Sequence, residues 1–160
     1  MLKSLLLSSA IFISQSPQPD NQFLQLKTQL ESYGFKVNLA IPPNFNPPQQ
    51  KQSFLRRRLR KPFGLLNSKS KSIWINPVVF ELGISNPVLI HEAAHAAQYC
   101  FGKGKVQPIE LDIEPIQQAQ PFFNRYANVH SRNVEKEAYA VQTQANSFEL
   151  ATSLLDQHCQ

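Results

Sequence analysis

Between Val88 and Ala97 the chain offers almost nothing but apolar side chains, and yet His91, Glu92 and His95 sit inside that run. Asn86 and Pro87 precede it and Gly102 follows it, the signals of a helix N-cap, a first helical position and a C-terminal stop. The pattern predicts a helix over 87–101. Val88, Leu89, Ile90, Ala93, Ala94, Ala96 and Ala97 leave it apolar nearly all round, so other elements must cover it on most sides. Three ionisable groups buried there are costly unless each is given a partner. The rest of the chain has to wrap this helix and bring those partners to it.

His91-Glu92-Ala93-Ala94-His95 reads H-E-x-x-H. Residues four apart on a helix lie about 40° apart around its axis with Cβ atoms roughly 5–6 Å apart, so both imidazoles can reach one ion. Zinc accepts neutral imidazole, and its catalytic sites take three protein ligands and leave one position for water. Glu92, beside the pair, is the general-base candidate of a hydrolytic zinc site. The competing reading is a pair of satisfied core histidines beside a paired buried acid.

The remaining patterning predicts an α+β fold. Phe23, Leu26, Leu30 and Tyr33 recur at helical spacing from about Asn21, and Gly34 ends that helix. Phe35, Val37, Leu39 and Ile41 then alternate with Lys36, Asn38 and Ala40 as in a half-buried strand. Residues 42–53 carry four prolines and read as a loop. Residues 63–66 and 72–76 flank a polar turn and predict a hairpin whose free edge can pair with an extended peptide. Residues 106–114 have no clear period. Residues 117–126 predict a helix interrupted by Pro121, and the last 25 or so residues predict one long helix capped by Ser131 or Asn133.

A third ligand must come from Glu110, Asp112, Glu114, His130, Glu135 or Glu137. On the last helix Val134, Ala138, Val141, Ala145 and Phe148 form the apolar stripe; Glu137 falls about 60° from Val134 at its margin, and Glu135 about 100° away. Phase therefore favours Glu137. A hairpin strand, an H-E-x-x-H helix and a later helix carrying Glu135-Lys136-Glu137-Ala138 together resemble the gluzincin type of zinc metallopeptidase in its short, minimal-zincin form. The resemblance spans roughly residues 63–145. It implies a small antiparallel or mixed sheet packed on an active-site helix and a C-terminal ligand helix. It also implies one Zn2+ held by His91, His95 and Glu137, Glu92 as general base, and a polypeptide substrate. The acidic residue that commonly follows the Glu-Ala pair is absent, Tyr139 and Val141 standing there. A metzincin-like continuation would need Gly at Gln98 and His or Asp at Phe101.

At 160 residues, with 42% hydrophobic and 17% charged side chains, the chain can bury about two thirds of its unfolded surface as one domain over 17–160. Residues 1–16 place Lys3 before an apolar run, as in a short signal peptide for export or membrane association, or else an N-terminal helix. The net charge of +5 is concentrated in Arg56-Arg57-Arg58-Leu59-Arg60-Lys61, a candidate contact for an anionic surface or partner, with a solvated face as the alternative. No aromatic platform or nucleic-acid module accompanies that run. Cys100 and Cys159 lack metal-ligand spacing. Cys100 reads as a small buried residue, and the two can form a disulfide if the chain is exported. A second functional class stays open: a non-catalytic, zinc-stabilised interaction domain that uses the basic run or the hairpin edge.

Overall fold

The structure, a computed structural model, describes residues 18–43 and 62–160. The signal-like segment and the basic run at 56–61 lie outside the described residues.

The first helix, α1 (Asn21–Ser32), starts where Asp20 accepts a hydrogen bond from the Phe23 N–H at 2.9 Å. Phe23, Leu26 and Leu30 are its buried face. Gly34, at φ +82°, turns the chain in a conformation that side chains resist and leads it into β1 (Lys36–Leu39). The expected hairpin is present as β2 (Gly64–Asn67) and β3 (Ser72–Ile75). Asn67 accepts from the backbone N–H groups of Lys69 and Ser70 to close its turn.

The sheet is mixed, in the order β1-β3-β2: β1 runs parallel to β3 with Val37 opposite Ile73, and β2 antiparallel with Leu66 opposite Ile73. β3 is central, and Ile73 and Ile75 are fully buried. The alternation expected through Ile41 holds only as far as Val37. Pairing stops at Leu39, where β1 reaches the end of β3, and Leu39 and Ile41 are exposed.

A short helix, α2 (Val78–Glu81), follows Asn76 and sends Val79 into the core. α3 (Ser85–Phe101) begins two residues before the predicted start. Asn86 does not cap it: its amide donates to the Asp20 carboxylate at 2.6 Å, tying α3 to the start of α1. Pro87 sits in the first turn, where its missing N–H is tolerated. Gly102 follows the last helical residue, and only glycine fits there because a Cβ would collide with the Lys105 carbonyl. α3 packs against α1, β2, β3 and the two C-terminal helices, so the apolar run is covered nearly all round.

Residues 103–116 are irregular. A 3-10 turn (Gln117–Ala119) and α4 (Gln120–Phe123) follow, with Pro121 in the first turn of α4. The long C-terminal helix of the sequence reading is two helices. α5 (Val129–Gln142) is capped by Asn128, which accepts from the Ser131 N–H, rather than by Ser131 or Asn133. A break at 143–146 then lets α6 (Ser147–His158) fold back along α3. Cys100 at the end of α3 and Cys159 beyond α6 form a disulfide, so Cys100 is not a free buried thiol but half of the bridge that the sequence also allows. No helix among the described residues is long and apolar enough to cross a membrane.

Candidate metal centre

His91 and His95 present their rings edge to face, with centroids 4.7 Å apart and the two Nε2 atoms 3.1 Å apart. The helix spacing thus brings both rings to one point, as the motif requires. The third group there is Glu135 from α5: one carboxylate oxygen lies 3.4 Å from His91 Nε2, the other 3.6 Å from His95 Nε2. The ligand-capable atoms of the three residues all lie within 4.8 Å of one another.

Glu137, the ligand expected from helical phase, is elsewhere. It is buried on the inner face of α5, as the phase argument required, but that face meets Gln98 and the 105–114 segment rather than the histidines. Its carboxylate accepts from Gln98 Nε2 at 2.8 Å and from the backbone N–H groups of Ile109 and Leu111 at 2.8 and 3.0 Å. The centre lies at the rim of the α3–α5 contact, where the His91 and Glu135 side chains keep 13% and 20% of their surface exposed. A rim is reached from the flank of a helix, and Glu135 is on that flank. Glu135, Tyr139 and Gln142 form a stripe at i, i+4 and i+7, about 100° from the apolar stripe. Gln142 Oε1 lies 3.0 Å from His91 Nδ1, and the Tyr139 ring packs edge-on against His91 at 4.6 Å. That second stripe was the signal in the sequence that could have selected Glu135.

The donor set suits a divalent cation. His91 Nδ1 faces Gln142 Oε1, and His95 Nδ1 faces Gln98 Oε1 at 2.8 Å. With each Nδ1–H donated to an amide oxygen, each Nε2 turns a lone pair into the shared space, and Glu135 adds a carboxylate. In that tautomer three electron-pair donors converge with no proton between them. Two imidazoles and one carboxylate are a borderline-soft set that zinc accepts, and outer glutamines replace the carboxylates that often orient metal-bound histidines. Burial raises the Glu135 carboxyl, but when His91 and His95 carry a second proton instead of sharing an ion, the His91 hydrogen bond, the His95 and His91 charges and the Tyr126 hydroxyl outweigh it and bring it down to about 2.

Glu92 lies beside the histidines under β2, only 5% exposed. Burial pushes its carboxyl up and the Glu135 charge adds to this, while His95 and the Leu66 backbone amide oppose it; the result is about 7. Its Oε2 is buried without a hydrogen-bond partner among the described residues. Room for this carboxylate comes from Gly64 on β2, where an added Cβ would lie 2.5 Å from Glu92 Oε1.

Tyr126 and Tyr139 are also at the centre. Both phenols are raised by burial first and by the Glu135 charge second, Tyr139 to about 12. His130 faces the Val106 carbonyl instead, and Glu114 pairs with Lys136. No protein-family model, curated protein or solved structure matches this chain.

Proposed function

We propose that this chain is a zinc-dependent peptidase in which His91, His95 and Glu135 hold one metal ion and Glu92 is the general base. The observation that carries the reading is the convergence of three metal-ligand side chains beside a buried carboxylate with one oxygen left unpartnered. A core histidine pair would not need Glu92 in that state, since buried polar atoms are normally satisfied. Zinc in such a set supplies Lewis acidity, making water a stronger acid near neutral pH and drawing charge from a carbonyl oxygen.

The chain's own groups do the rest. Glu92, with its carboxyl near 7, can take a proton from water and return it to the leaving amine of a cleaved peptide bond. The phenol of Tyr139 keeps its proton at neutral pH and is a donor beside the reacting carbonyl, whereas Tyr126 directs its own proton to Glu135. β2 pairs with β3 on one side only among the described residues, and its Gly64 lies against Glu92. An extended polypeptide added to that edge would lie across the centre and gain main-chain hydrogen bonds whatever its sequence.

The test is cleavage of an unstructured polypeptide by purified protein with zinc content assayed in parallel. Wild type should bind one equivalent and cleave. Glu92→Gln should keep the zinc and lose about 10²–10⁴-fold in rate, the usual worth of a general base. Glu135→Ala should lose the zinc. One equivalent bound to a wild type that cleaves nothing would replace this reading with the non-catalytic, zinc-stabilised interaction domain.

A further inference from the structure

An imidazole holds a metal through Nε2 only if its proton is on Nδ1, and a glutamine beside Nδ1 does not by itself guarantee this. If the amide turns its NH2 toward the ring, it selects the opposite tautomer and puts a proton where the ion belongs. Gln98 is the neighbour in question for His95, and it is 1% exposed, so solvent cannot help to orient it. Its orientation is set from its other end. Gln98 Nε2 has two acceptors, the Val134 carbonyl at 3.0 Å and Glu137 Oε2 at 2.8 Å. A flipped amide would aim its oxygen at a carbonyl and a carboxylate, neither of which has a proton to donate.

We propose that Glu137 is a positioning residue of this centre: through Gln98 it fixes His95 in the Nδ1–H tautomer, and it ties that setting to the seating of the 105–114 segment. The inference rests on the metal-centre reading above. Both oxygens of Glu137 are engaged, Oε2 by Gln98 and the Ile109 N–H, Oε1 by the Leu111 N–H. Glu110 lies between those two amides at φ +69°, a left-handed conformation uncommon for a residue with a side chain. That bend brings both N–H groups to one carboxylate. The path runs from the irregular segment through Glu137 and Gln98 to His95, with every link a hydrogen bond of 2.8–3.0 Å. It explains why a second glutamate stands two residues after Glu135 on the buried face of α5 without reaching the histidines.

Nitrogen-15 spectra of the imidazoles in metal-free protein, with zinc affinity measured by competition with a chromogenic chelator, test the assignment. Wild type should show His95 protonated at Nδ1 and bare at Nε2. Glu137→Leu leaves Gln98 only the Val134 carbonyl, and Gln98→Leu removes the relay without touching the carboxylate. Each should populate the other tautomer and weaken zinc binding tenfold or more, the usual effect of losing an outer-shell partner. Glu137→Gln keeps an acceptor for Gln98 and should retain the wild-type tautomer, while amide exchange at Leu111 rises. Gln98→Leu keeps the Glu137 bonds to the backbone, so it reports even if Glu137→Leu fails to fold. An Nε2–H tautomer in wild type, or wild-type tautomer and affinity in Gln98→Leu, would overturn the proposal. If wild type binds no zinc the metal-centre reading fails separately, and the metal-free spectra still decide what Glu137 does to His95.

Discussion

Gly64 and Glu92 leave room for no side chain between them. A Cβ on residue 64 would meet Glu92 Oε1 at 2.5 Å, its Cγ at 2.8 Å and Val88 Cγ1 at 2.9 Å. The Val88 contact and the buried Glu92 stem belong to α3, which other elements hold on most sides, so the carboxylate is the part that gives way. Gly64→Ala should therefore cost about 1–3 kcal/mol of stability as an overpacked site. On the proposed function it should also slow peptide cleavage more than it weakens zinc binding, because the atoms an added Cβ would meet first belong to Glu92 and Val88 and not to the three metal-ligand side chains. Turnover, zinc affinity and thermal unfolding of the same variant separate the effects. Wild-type turnover in Gly64→Ala would mean that β2 does not set the position of Glu92.

The two helices that share the centre contribute unequally legible parts. His91 and His95 were readable because their relation is local: four residues on one helix fix their separation whatever the fold does. The hairpin was readable for the same reason. Glu135 was not, since helical phase reports which side chains are buried, and the centre lies at the rim of the α3–α5 contact rather than within it. The break between α5 and α6 was also missed, because Thr143-Gln144-Ala145-Asn146 contains neither Pro nor Gly and the apolar period continues across it. The residue after Glu137 is an alanine, small enough to let α5 approach its neighbours closely. Ala138 is fully buried between α5 and its neighbours. Ala138→Leu should push α5 from α3, cost about 1–3 kcal/mol, and lower zinc affinity because the ligands sit on opposite sides of that seam. A stability loss with zinc affinity unchanged would show that α5 packing does not aim Glu135.

At the scale of the whole molecule, α6 closes the fold over α3 and α1, and among the described residues a disulfide, a Gln29 hydrogen bond to the Thr152 carbonyl at 3.0 Å and a polar device hold it. The Cys100–Cys159 disulfide spans a sequence separation of 59 residues that includes all of α5 and hence Glu135. Closing a loop of that length is worth about 4 kcal/mol in the chain-entropy account. Reduction, or Cys100→Ser with Cys159→Ser, should lower Tm by on the order of 10 °C, and a Tm unchanged by reductant would remove the bridge from the account of stability. The polar device is Asp156, which accepts from the Tyr33 hydroxyl at 2.6 Å and from Gln29 Nε2 at 2.7 Å and so joins α6 to α1. The Tyr33 hydrogen bond, then that of Gln29, holds the Asp156 carboxyl below its ordinary 3.8, and the same bond to Asp156 raises the Tyr33 phenol above its ordinary 10.0. A depressed acid stabilises the fold above its unfolded pKa and loses that contribution as pH falls through its folded value. A raised phenol stabilises the fold below its unfolded pKa and loses that contribution as pH rises through its folded one. The pair should therefore help between these limits and fade beyond both, by a small amount because it is exposed to solvent and salt. Unfolding of wild type and Tyr33→Phe across pH should show a gap that is flat near neutrality, narrows in acid below the ordinary carboxylate value and narrows again above the ordinary phenol value. A gap of equal size in strong acid and at neutrality would mean that the tyrosine acts through packing alone.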